Sequence, residues 1–258
     1  MGILNLTPDS FSDGGLFTRK EAALAQARRM AQEGAACIDI GGESTRPGAP
    51  PVPEQEELDR VIPVVEALAA ELEIPLSIDT SKPRVMREAV AAGAGLINDV
   101  QALRAPGALH VAAELRVPVC LMHMQGEPRT MQQAPHYRDV VEEVRVFLAA
   151  RIDACRQAGI PLHKILIDPG FGFGKTLEHN LALLRHLTDL QLLAVPVLVG
   201  ISRKSMIGSL LDGAPVNERL YGSLAAAVLA VQRGAAIVRT HDVGATLDAL
   251  KVSVAVAG

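Results

Sequence analysis

Two rhythms of apolar and polar positions alternate along the chain. Short, mostly apolar runs, as a strand buried on both faces requires, occur at residues 3–6, 35–40, 75–79, 95–98, 117–122, 164–167, 195–199 and 236–239. Between them apolar residues recur at spacings of three and four, which marks one face of a helix. At 54–73 the stripe includes Leu58, Ile62, Val65, Leu68 and Leu72; at 137–158 it includes Val140, Val141, Val144, Phe147, Leu148 and Ile152. Further helices are expected at 19–32, 83–93, 108–115, 177–187, 218–233 and 246–256. Punctuation supports these limits. Thr7-Pro8-Asp9 is a turn signal, Gly34 stops the first helix, and Pro83 suits a helix N-terminus, where its missing N–H costs nothing. Pro169 cannot continue a ladder, so the run before it ends at Asp168.

Eight such alternations, with no linker or shift in composition, predict an α/β protein: a (β/α)8 TIM barrel forming a single domain over residues 1–258. A doubly wound open sheet is the alternative, but it usually has fewer strands and a glycine fingerprint after the first. Composition refines this. Hydrophobic residues make up 49% of the chain while aromatics make up 3% and Trp is absent, so the core must be aliphatic. A net charge of −4 leaves no nucleic-acid footprint. No apolar run reaches membrane-spanning length and no signal peptide is visible, which points to a cytoplasmic protein. Cys37, Cys120 and Cys155 lack any CxxC pairing and read as buried free thiols in a reducing compartment. Met1 stands directly against the first strand, so residues preceding it are expected to be missing.

Barrel enzymes work with side chains at the C-terminal ends of their strands. Here those ends offer Asn5; Asp39, then Thr45 and Arg46; Asp79; Asn98 and Asp99; His123; Asp168; Ser202, Arg203 and Lys204; and Arg239 with His241. Each alone has a plain structural explanation, such as a turn cap or a core histidine. A barrel needs no such ring for stability, however. The stretch ILIDPGFGFGK, residues 165–175, is its most distinctive part: a carboxylate at the mouth of a buried strand, then glycines alternating with Phe171 and Phe173. Such a loop can approach a flat ligand with two aromatic faces beside it. It is not a Walker loop, because Pro169 stands where the first glycine belongs.

The ring has two chemical characters. Asp79, Asn98, Asp168 and Lys204 could line the edge of a flat heterocycle with alternating donors and acceptors. Asn5, Arg239 and His241 suit phosphate oxygens and Mg²⁺, which an amide oxygen such as that of Asn5 can ligate. Strands eight and one are neighbours in a closed barrel, so these three can converge.

The chain resembles the dihydropteroate synthase family over nearly its whole length. The matching stretches are GILNLTPDSFSDGG, DIGGESTRPGA, SIDTSKP, LINDV, LMHMQGEPRTMQ, ILIDPGFGFGK, VGISRKSMIG and IVRTHDV, in order and at barrel spacing. The resemblance implies a sulfonamide-targeted transferase of folate biosynthesis. It condenses 6-hydroxymethyl-7,8-dihydropterin pyrophosphate with p-aminobenzoate, giving 7,8-dihydropteroate and pyrophosphate. It further implies that Asp79, Asn98, Asp168 and Lys204 hold the pterin, and that Asn5, Arg239 and His241 hold the pyrophosphate. Asn5 would also meet Mg²⁺. Thr45, Arg46, Phe173 and Ser205 would surround p-aminobenzoate, under covers formed by residues 10–15 and 45–48. Lys204, Asp79, Asp168 and Arg239 would be the catalytic set. A homodimer through barrel helices is implied too, with which the Ala- and Val-rich stripe at 224–231 is compatible. A pterin-binding methyltransferase would share the barrel and acidic pocket without the Arg239–His241 cluster. A pterin scaffold without catalysis would lack the Lys204 or Arg239 cation. A generic sugar-phosphate barrel leaves Asp79 and Asp168 unexplained.

Overall fold

The computed structural model describes residues 1–7, 16–44, 48–126 and 130–257. Among them eight strands run β1 (Gly2–Asn5), β2 (Ile38–Gly41), β3 (Leu76–Asp79), β4 (Leu96–Asp99), β5 (Val119–Met122), β6 (Ile165–Asp168), β7 (Val197–Val199) and β8 (Ala235–Val238). The helices are α1 (Leu16–Gln32), α2 (Glu54–Glu71), α3 (Pro83–Ala91), α4 (Ala108–Leu115), α5 (Val140–Gln157), α6 (Leu177–Arg185), α7 (Ser205–Leu210), α8 (Leu220–Gln232) and α9 (Val243–Ala257). The strands lie side by side in chain order, and each pairs in parallel with the next. The ends of the sheet meet. Gly2 bridges Thr240, Ile3 N–H donates to the Thr240 carbonyl at 3.0 Å, and Thr240 N–H donates to the Met1 carbonyl at 3.0 Å. This is the expected (β/α)8 barrel.

Strand period two divides the core into layers. Ile38, Ile40, Ile78, Ile97, Val119, Leu121, Ile165, Ile167, Val197 and Val199 point outward and pack with apolar faces of the helices in one large cluster. The alternate residues point inward. Leu96, Cys120, Leu166 and Leu198, with Met1 and Ile237, fill the barrel in a small second cluster. Toward the C-terminal ends the inward positions become polar: Asn5, Asp39, Asp79, Asn98 and Asp168.

Several limits differ from the sequence expectation, for physical reasons. Strand β2 starts at Ile38 because residues 33–35 still finish α1. Gly34, at φ +96°, lets Ala35 N–H reach back to the Met30 carbonyl at 2.9 Å. Helix α5 starts at Val140, since the Asp139 carboxylate caps it by accepting the Val141 and Glu142 N–H groups at 3.0 and 3.1 Å. Helix α7 was not expected at all; its six residues are too few to display a helical period. Helix α9 begins at Val243, earlier than expected. The thiols are free, but Cys37 is only partly buried. No helix among the described residues is long and apolar enough to cross a membrane.

Candidate active site

Register brings the strand-end groups together. Asn5 pairs with Gly41, Gly41 with Asp79, Asp79 with Asn98, and Met122 with Asp168. Arg239 follows β8 and is fixed by its N–H, which donates to the Val199 carbonyl at 2.8 Å. Its guanidinium reaches across the barrel. Nε donates to Asp39 Oδ2 at 2.6 Å, and Nη2 donates to Asp79 Oδ2 at 2.8 Å. Asn98 Nδ2 donates to the same Asp39 oxygen at 2.9 Å. Burial pushes the Asp79 carboxyl up to about 7; Arg239 opposes the shift, while Asp39 adds to it. Arg239 therefore pairs directly with both Asp39 and Asp79. Two of its five N–H donors are engaged, and the others remain for a ligand.

Asp168 sits opposite with 6% of its surface exposed. Its Oδ1 accepts the Gly170 N–H at 2.7 Å. Burial pushes this carboxyl upward too, opposed first by Lys204. The Lys204 ammonium donates to the Phe171 carbonyl and lies 4.6 Å from the centre of the Phe173 ring. Burial lowers this lysine to about 8, against the pull of Asp168. Of the two phenylalanines expected beside a ligand, Phe173 lies next to Lys204. Phe171 is fully buried in the large core, because the chain reverses at Gly170 and sends it inward.

The loop from β6 to α6 is clasped from beneath. Lys175 is buried, and its Nζ donates to the carbonyls of Gly170 at 2.9 Å and Phe173 at 3.0 Å. The same Nζ lies 2.9 Å from His123 Nδ1. Burial first, then the Lys175 charge, lowers His123 to about 2, so its ring is neutral and structural. Gly170 has φ +69°, and a Cβ there would lie 1.9 Å from the His123 carbonyl oxygen. Only glycine fits that approach.

Of the remaining strand-end groups, Asp99 is structural: it accepts the N–H groups of Gln101 and Leu103, each at 2.8 Å. Arg203 is paired with Asp242, its Nε donating at 2.9 Å. Ser202 Oγ lies 3.0 Å from His241 Nδ1 and accepts the His241 backbone N–H at 3.2 Å, fixing that ring. Asn5 is partly exposed and Ser205 exposed. Thr45 and Arg46 lie outside the described residues, as do residues 10–15 and most of 45–48. Two features escaped the sequence reading. One is Asp39, an acid between two core isoleucines that demands a buried cation. The other is Lys82, whose Nζ donates to Glu43 Oε2 at 2.5 Å and to the buried Glu57.

Comparison with known proteins agrees with this geometry. Residues 1–241 match the family described as pterin binding enzyme. The dihydropteroate synthase of Escherichia coli K12 is 56% identical over 252 residues, covering 98% of this chain and 89% of that protein. The one from Haemophilus influenzae is 55% identical, covering 98% and 91%. Among solved structures, Xanthomonas albilineans dihydropteroate synthase with 4-aminobenzoic acid is 60% identical. It superposes with a TM-score of 0.95 over 100% of this chain and 92% of that one. The same enzyme in complex with 7,8-dihydropteroate is 57% identical with a TM-score of 0.92, covering 100% and 93%. A Yersinia pestis dihydropteroate synthase with a sulfonamide drug is 54% identical with a TM-score of 0.95, covering 100% and 93%. With its barrel, its ring of strand-end side chains and relatives this similar along almost their full length, the chain belongs to the dihydropteroate synthase family of pterin-binding enzymes.

Proposed function

We propose that the strand-end ring is the active site, and that its two halves share the reaction of the family. That reaction condenses 6-hydroxymethyl-7,8-dihydropterin pyrophosphate with p-aminobenzoate, releasing pyrophosphate and forming 7,8-dihydropteroate. The observation that carries the assignment is the pair of carboxylates, Asp79 and Asp168, each tied to a neighbouring cation at the mouth of the barrel. A pterin's amino-pyrimidine edge presents adjacent N–H donors. Asp168 accepts two of them, Asp79 and Asn98 address the rest of the ring, and Lys204 donates to a ring acceptor. Asn5, Arg239 and His241 hold the pyrophosphate. Thr45, Arg46, Phe173 and Ser205 take p-aminobenzoate.

Mg²⁺ fits this site on its donor chemistry. Among the described residues no group of three or more His, Cys, Asp or Glu could hold a metal ion. Mg²⁺, however, often keeps its waters and binds through substrate phosphates plus one or two protein oxygens. Asn5 provides such an oxygen. Bound Mg²⁺ supplies charge neutralisation on the pyrophosphate.

The division of residues favours dissociative substitution. Arg239 and His241 stabilise charge as it develops on the leaving group. Asp79 and Asp168 place negative charge near a dihydropterin ring that becomes positive when its exocyclic CH₂–O bond breaks. The aromatic amine of p-aminobenzoate then attacks that carbon and loses a proton. Release of pyrophosphate from the two substrates with Mg²⁺ tests the activity. Labelling the bridging oxygen and omitting p-aminobenzoate tests the route. Label should scramble into non-bridging positions; no scrambling, with a rate rising steeply with aniline basicity, means direct displacement.

A homodimer and a cytoplasmic setting complete the reading. Helices α8 and α9 expose Tyr221, Leu229, Val252, Val254 and Val256, apolar side chains that a second copy would cover. The free thiols fit a reducing compartment. Light scattering should give twice the chain mass, and Leu229→Glu should give the monomer.

A further inference from the structure

Asp39 is fully buried and stands one layer below the ligand-facing groups. No substrate contact is assigned to Asp39 itself, yet one of its oxygens accepts from both Asn98 and Arg239. We propose, building on the functional reading above, that Asp39 is a positioning residue for the reaction: it sets the Asn98 amide and the Arg239 guanidinium in the orientations that pterin binding requires.

Two consequences of the geometry carry this. Asn98 gives an N–H to Asp39, so its amide cannot turn over without leaving an acceptor facing an acceptor. Its carbonyl oxygen and second N–H are thereby aimed elsewhere. Arg239 is divided between two acids, Nε to Asp39 and Nη2 to Asp79. Without Asp39 the guanidinium would close on Asp79 with both nitrogens, in the fork geometry arginine favours, and take both its oxygens. With Asp39 in place, Asp79 Oδ1 is left for a ligand N–H. The other Asp39 oxygen, Oδ1, is buried without a hydrogen-bond partner, as is Ser77 Oγ at the paired position of β3. An acid kept there at such cost for packing alone has no rationale.

The test compares Asp39→Asn, which keeps the shape and removes the charge, with Ser77→Ala, which alters the same layer away from the site. Calorimetry with 6-hydroxymethylpterin and steady-state kinetics at several pH values are the readouts. Asp79 faces Arg239 just after β8, Asp39 from β2, Asp99 from β4, Glu57 from α2 and Lys204 just before α7. Removing the Asp39 charge should therefore move the acid limb of kcat/KM to lower pH. Pterin affinity should fall about tenfold or more, while Ser77→Ala binds and turns over as wild type. Wild-type affinity and an unmoved limb in Asp39→Asn would overturn the proposal. So would an equal loss in Ser77→Ala, which would assign the effect to packing. Should Asp39→Asn not fold, Asp39→Glu keeps the charge and displaces it: a folded variant with weakened pterin binding supports the role, one with wild-type constants refutes it. If neither folds, Asp39 is structural and the proposal fails. A wild-type chain that binds no pterin removes the functional reading itself, a result separable from any of these.

Discussion

At the scale of single residues, the site depends on acids held where water would normally solvate them. Asp168→Asn keeps the volume but must turn a donor toward one ligand N–H. We expect a loss of about 2–4 kcal/mol in pterin binding, roughly thirty- to a thousandfold in Kd, with the fold retained. Calorimetry checks this, and unchanged affinity would remove Asp168 from the pterin site. Arg239→Ala leaves two buried acids facing each other. It should weaken the bare hydroxymethylpterin as well as the pyrophosphate substrate, the latter more. It should also cost about 3–5 kcal/mol of stability by denaturant unfolding, as breaking a buried pair does. Loss confined to the pyrophosphate substrate would contradict the bridging role. Asp79, Asn98, Asp168, Lys204 and Arg239 were legible in the sequence because each closes or follows an apolar run. Their partnerships were not. That Arg239 reaches Asp39 and Asp79 depends on barrel closure, which brings together residues 200 and 160 positions apart.

At the scale of elements, the loop between β6 and α6 is a rigid ledge, built from the buried Lys175 ammonium and the tight crossing at Gly170. Gly170→Ala puts a methyl into the His123 carbonyl and forces a positive φ on an L-residue. We expect about 2 kcal/mol or more of lost stability and weakened pterin binding, read by thermal unfolding with and without ligand. Lys175→Met removes donors from two buried carbonyls and should cost about 2–4 kcal/mol. An unchanged melting temperature would show that the loop holds its shape unaided. The glycine pattern marked this loop as special, but the pattern could not tell which phenylalanine enters the core. That follows from the reversal at Gly170. The same limit hid α7, whose buried residues Met206 and Ile207 look from sequence like part of a loop.

At the scale of the whole molecule, burial of the acids links stability to pH. Asp79 ordinarily titrates at 3.8 and here is pushed up to about 7. Between those values the folded protein holds a proton that the unfolded chain releases, so this group's contribution to stability falls as pH rises and levels off above about 7. A pterin whose N–H groups favour the ionised acid removes that penalty. We therefore expect the rise in melting temperature on adding pterin to be larger near about pH 8 than near about pH 5. A constant rise would show that the acids keep their charge state on binding. The seam where β8 meets β1 has a consequence for biogenesis. Asp39 leaves the ribosome 200 residues ahead of Arg239. At roughly 5–20 residues per second, the acid waits on the order of 10–40 s for its cation. Throughout that interval β1 is an open edge, able to pair with any strand it meets. A nascent chain stopped before residue 239 thus carries an uncompensated acid and an unsealed sheet, so it should be retained by holding chaperones and bind no pterin. The eighth strand both seals the wall and leads to the charge that makes the pocket habitable, so ligand binding would report that residue 239 has emerged.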